Sequence, residues 1–102
     1  MNATLYLPQQ PPLAVSTQGF RMPNAVTQRA HIPNEVSRLL GCAPGLVDIL
    51  ICGPRYVIYS VSDYESDTNL TAMEAVSKVS GIKFDLEDAD MILCGPILIV
   101  TE

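Results

Sequence analysis
One stretch occurs twice in this chain, and it constrains the fold more than anything else. Asp48-Ile-Leu-Ile-Cys-Gly-Pro-Arg-Tyr-Val-Ile-Tyr59 returns as Asp90-Met-Ile-Leu-Cys-Gly-Pro-Ile-Leu-Ile-Val-Thr101. Each copy is an acid, three aliphatics, Cys-Gly-Pro and a further apolar run. Upstream stand Val36-Ser37-Arg38-Leu39-Leu40-Gly41 and Val76-Ser77-Lys78-Val79-Ser80-Gly81. Similarity in the same order signals a repeated supersecondary unit. The unit reads as helix, strand, turn, strand, over about residues 33–61 and 69–101. Two copies are too few for a solenoid, so a pseudo-twofold pair sharing one sheet is expected. The fold expected from this is α+β: a two-layer sandwich with an antiparallel sheet of four or more strands and two helices on one face.

The local signals support these elements. Pro33 to Leu40 reads as a short helix, with proline in its first turn and Gly41 after its last. Leu70 to Ser80 carries an apolar face at Met73, Val76 and Val79, a capping box at Thr71 and Glu74, and a stop at Gly81. Leu46–Cys52 and Tyr56–Val61 read as strands joined at Gly53-Pro54, either a tight primed hairpin or a bulge in one bent edge strand. Met91–Cys94 and Ile97–Thr101 read as the matching final hairpin, and Ile82–Phe84 as a short extra strand. Pro23–His31 suggests a helical turn or two.

Residues 1–24 form a Pro-rich N-terminal arm, with prolines at 8, 11, 12 and 23. Thr4–Leu7 and Leu13–Val15 are candidate short strands within it. Their apolar side chains favour an arm lying along the domain or along a neighbour rather than a solvated tail. Residues 25–102 then form a single α+β domain, the size of chain one core can organise.

Composition narrows the function classes. Apolar residues make up 48% of the chain, enough for a core. The apolar runs fall far short of the roughly 20 residues that span a bilayer, and no membrane contact is expected. The N-terminus lacks a basic region followed by a long apolar one, so no leader is expected. Three cysteines without close spacing predict no disulfide framework and a cytoplasmic setting. The net charge is −5, divided as +2 over residues 1–60 and −7 over 61–102. An acidic chain without a basic cluster argues against nucleic acid.

Each candidate site has an ordinary structural competitor. Asp63, Glu65, Asp67, Asn69, Thr71 and Glu74 have the oxygen-bearing spacing of an EF-hand loop. Thr68 stands where a glycine makes the sharp turn, and a strand precedes the loop. Acids before a helix also complement its dipole, so weak calcium binding or none is expected. Cys42, Cys52, Cys94 and His31 offer zinc ligands, but their spacing contains no Cys-x2-Cys knuckle. Cys52 and Cys94 close equivalent strands and are expected to be buried and unreactive. A Cys–His nucleophile pair would have only His31, with no recognisable group to orient it. Tyr56, Tyr59 and Tyr64 are candidates for a ligand cleft or for cross-strand packing. No phosphate loop, nucleophile elbow or metalloprotease helix is present.

The expectation is therefore a small non-enzymatic, oligomeric interaction or regulatory protein with no cofactor. Its partners would be a second copy of itself and another protein. The alternative is a small-molecule or metal-ion-binding domain using the groove between the repeats or the acidic loop 63–74. Strands apolar on both faces need cover on both faces. With two helices on one face, the other is expected to meet a second chain through Tyr56, Ile58, Ile97 and Ile99, or through Leu5 and Leu7 of the arm.

Overall fold
In the computed structural model, the described residues are 1–22, 32–62, 67–85, 87 and 92–102. The expected helical turn over Pro23–His31 lies outside them, as do Tyr64 and Met91. Among the described residues the fold is α+β, with five antiparallel strands in one sheet and two α-helices. In chain order the elements are β1 (Asn2–Tyr6), β2 (Leu13–Val15), α1 (Glu35–Leu40), a 3-10 turn (Pro44–Leu46), β3 (Val47–Gly53), β4 (Tyr56–Val61), α2 (Leu70–Ser80) and β5 (Ile97–Thr101). The sheet order is β2-β1-β5-β4-β3. Among the described residues no helix is long and apolar enough to cross a membrane.

The strands of the expected arm belong to this sheet. β1 pairs with β2 and also with β5, where Asn2 to Tyr6 face Thr101 to Ile97. β5 runs between β1 and β4, with Ile58 opposite Ile99. The final strand is therefore the middle of the sheet and not half of a terminal hairpin. Residues 92–94 fold against the start of α2: Cys94 makes an isolated bridge with Thr68, and the Asn69 amide donates to the Leu93 carbonyl at 2.8 Å. Gly95 then turns the chain into β5 at φ 73°, a conformation other residues resist. The two Cys-Gly-Pro copies are thus used differently, one at a hairpin and one at this kink. Ile82–Phe84, expected as a strand, forms none.

Both faces of the sheet are covered within the chain. Ala3, Leu5, Val57, Tyr59, Leu98 and Val100 share one cluster with Val36 and Leu40 of α1 and with Phe20. Ile58, Ile97 and Ile99 share the other with Ala72 and Val76 of α2. The expectation of two helices on one face is corrected: α1 and α2 pack on opposite faces. This accounts for strands that do not alternate. In β5 even-numbered residues meet the α1 side and odd-numbered residues the α2 side, so every position from Ile97 to Val100 is apolar.

α2 has the expected bounds, but its cap lies two residues before the Thr71 of the expected capping box. Its N-cap is Asn69, whose Oδ1 accepts from the Ala72 amide at 3.1 Å. Asn69 is fully buried, and its Nδ2 donates to the carbonyls of Gly95 at 2.8 Å and Tyr6 at 2.9 Å. One side chain thus ties α2, the end of β1 and the entry to β5 together. Gly41 and Gly81 end the two helices, as expected.

Candidate functional site
The sheet has two edges, and they differ. β2 is three residues long, follows Pro11 and Pro12, and is largely exposed. Prolines and short length blunt an edge against further pairing. β3 is seven residues long, and its interior, Ile49-Leu50-Ile51, is aliphatic and half-buried. It pairs with β4 on one side, and among the described residues no strand pairs with its other side.

Local chemistry sets the shape of β3. Its ladder with β4 skips Leu50: Ile49 faces Tyr59 and Ile51 faces Ile58. This bulge sends Ile49 to the α1-side cluster and both Leu50 and Ile51 to the α2-side cluster. The hairpin turn is Pro54-Arg55, one residue later than expected, and neither residue has a positive φ. Proline presets the first central position of such a turn. Gly53 instead faces Tyr56, whose ring lies over it. A Cβ on Gly53 would come within 2.4 Å of the ring. The edge carries one charge near each end. Asp48 accepts a hydrogen bond from Ser62 Oγ. Arg55 lies 3.8 Å from Glu102, both well exposed.

The residues singled out in the sequence are placed as follows. Ile58, Ile97, Ile99 and Leu5 are 0%, 1%, 4% and 5% exposed, inside the core, and Tyr56 and Leu7 are half-buried. The apolar face expected to meet a second chain is the seat of a helix. In the acidic loop, Asp63 and Glu65 lie outside the described residues. Asp67 is exposed, and its carbonyl accepts from the Gly95 amide at 3.1 Å. Asn69 has every side-chain hydrogen-bonding position it needs filled by backbone. Glu74 is exposed on α2, 3.4 Å from Lys78. Asn69 therefore faces the fold interior while Glu74 faces solvent, and the described part of the loop does not converge on one point.

The three cysteines do not converge either. Cys42 packs beside the α1-side cluster and Cys94 is half-buried. Cys52, expected to be buried, is exposed, because β3 is an edge strand and not an interior one. His31 lies outside the described residues. Among the described residues no three His, Cys, Asp or Glu side chains are grouped to hold a metal ion. Tyr59 and Tyr56 point to opposite faces, so they line no common cleft. Tyr59 is fully buried beside Phe20, with ring centroids 6.3 Å apart. Burial, and then the charge of nearby Cys52, push its phenol up to about 12.

A cleft of about 360 Å³ lies between the chain after β2 and α1, lined by Ser16, Gln18, Gly19, Glu35, Arg38 and Leu39. Among the described residues its cationic side chain is Arg38, which is bonded to Glu35 on the same helix. The contrast between the two edges was partly visible beforehand, because Pro11-Pro12 precede one candidate strand while the interior of the other has no proline or lysine. What hid it was the sheet order, which depends on long-range pairing. In comparisons with known proteins, no family model, no curated protein and no solved structure matches this chain.

Proposed function
We propose that this chain is a non-enzymatic protein-interaction module, and that it binds by adding a strand to the outer edge of β3. The observation that carries this reading is the asymmetry of the sheet: a short, proline-led edge at β2 and a long aliphatic edge at β3. An edge presents unpaired backbone donors and acceptors, and strand addition supplies their partners. Side chains left half-buried at Ile49, Leu50 and Ile51 gain cover in the same step.

The test uses the whole chain and a probe peptide copying residues 46–53, with lysines added at both ends for solubility. Amide hydrogen exchange is followed with and without the peptide, at a chain concentration low enough for the chain to sediment at 11.1 kDa. The expected result is slower exchange in β3 at saturating peptide, with β2 unchanged. Unchanged exchange in β3, or protection of β2 instead, overturns the reading.

A further inference from the structure
We infer that the partner of the β3 edge is a second copy of this chain, paired antiparallel about a twofold axis near Ile51. The inference rests on the reading of β3 as the docking edge and adds the identity of the occupant. Three observations lead to it.

The first is closure. A chain with two competent edges would pair end to end without limit, whereas one with a single competent edge pairs once and stops. β2 is blunted, so two copies meeting at β3 form one continuous sheet with a blunted edge at each end.

The second is apolar matching. A strand laid beside β3 has to cover Ile49 on the α1 side and Leu50 and Ile51 on the α2 side. It must itself be apolar on both faces. An ordinary extended peptide alternates, but β3 of another copy does not. A twofold axis perpendicular to the sheet also sets like face beside like face, so each cluster continues into its counterpart.

The third is charge. The chain carries −5, yet residues 47–61 hold only Asp48 and Arg55 and are neutral. Two acidic molecules can meet there with little like charge at the contact, Glu102 beside Arg55 being the exception. Antiparallel pairing centred near Ile51 brings Asp48 of each copy beside the Pro54-Arg55 turn of the other. Parallel pairing would set Asp48 against Asp48. The existing contact of Arg55 with Glu102, at 3.8 Å between exposed groups, is weak enough to be shared.

Sedimentation of the full chain between about 1 and 100 μM, the range in which modest interfaces assemble, tests the inference. The expected result is a rise from 11.1 kDa to twice that mass, with the outward β3 amides protected from exchange only in the larger species. Asp48→Arg and Arg55→Asp alone should each weaken pairing by about tenfold, and the double reversal should return it to within about threefold of the parent. A chain that stays at 11.1 kDa overturns self-pairing. The peptide experiment then judges strand addition separately, since protection by the peptide in a monomeric chain leaves that reading standing. A dimer whose β3 amides exchange freely overturns self-pairing at β3, and the peptide experiment again judges strand addition. A double reversal weaker than either single change overturns the antiparallel arrangement. The mass and exchange measurements use the unmodified chain, so they decide the matter even if a variant fails to fold.

Discussion
Two side chains carry more of this fold than their size implies. Asn69 is buried with one acceptor and two donor bonds made, to the Ala72 amide and to the Gly95 and Tyr6 carbonyls. Asn69→Ala removes a helix cap and leaves buried carbonyls without their donor, at a cost of about 3 kcal/mol. Asn69→Asp should be at least as damaging, although aspartate is a good N-cap, because a carboxylate would face two carbonyl oxygens. Urea unfolding of both variants checks this, and an Asp variant as stable as the parent would contradict the geometry. Tyr59 makes the second case. Its phenol is held neutral to about pH 12 in the fold, against 10.0 for the ordinary group. The unfolded chain therefore loses this proton first as pH rises. The associated stability is fully present below pH 10 and is lost as pH climbs toward 12, at about 1.4 kcal/mol per pH unit. Tyr59→Phe should flatten the stability profile across that window, as read by denaturant titrations at a series of alkaline pH values.

At the scale of elements, the β3 bulge allows a sharper comparison. Because the ladder steps from Ile49–Tyr59 to Ile51–Ile58, deleting Leu50 leaves a regular ladder with no side chain changing face. The loss is the half-burial of one leucine, about 1–2 kcal/mol. Deleting Ile58 from β4 instead reverses the facing of part of an interior strand, and the chain should not fold. Circular dichroism and thermal melts of the two deletions make the comparison directly. The local elements were legible because their signals are local: apolar spacing over Val36–Leu40 and Met73–Val79, glycines at 41 and 81, aliphatic runs at β3 and β4. The cap of α2 was misplaced because Thr71 and Glu74 match a capping box by spacing, while Asn69 is selected by carbonyls far along the chain. The last strand, Ile97–Thr101, has the expected bounds, but its neighbours differ from the expected hairpin for a related reason. Its sequence copies that of β3–β4, but its neighbours are set by pairing with residues 2–6, which no local pattern encodes.

For the whole molecule, the apolar strands were read correctly as needing cover on both faces. The structure supplies that cover with α1 on one side and α2 on the other. A partner would consequently meet the rim of the sheet and not its face. The candidate site was legible as a strand but not as an edge, since being an edge is a property of the assembled order and not of the residues in it.

The pairing of Asn2 with Thr101 also sets how the molecule responds to force. β1 and β5 run antiparallel, and these two residues sit at the same end of their shared ladder. Tension applied between them pulls across the strands, so the backbone bonds open one after another like a zip. A load along the strands would instead break the whole row together. Pulled through tethers at positions 2 and 101 in an optical trap, the chain should yield at low force. Tethers at positions 6 and 101, which load the same ladder in shear, should require several times more.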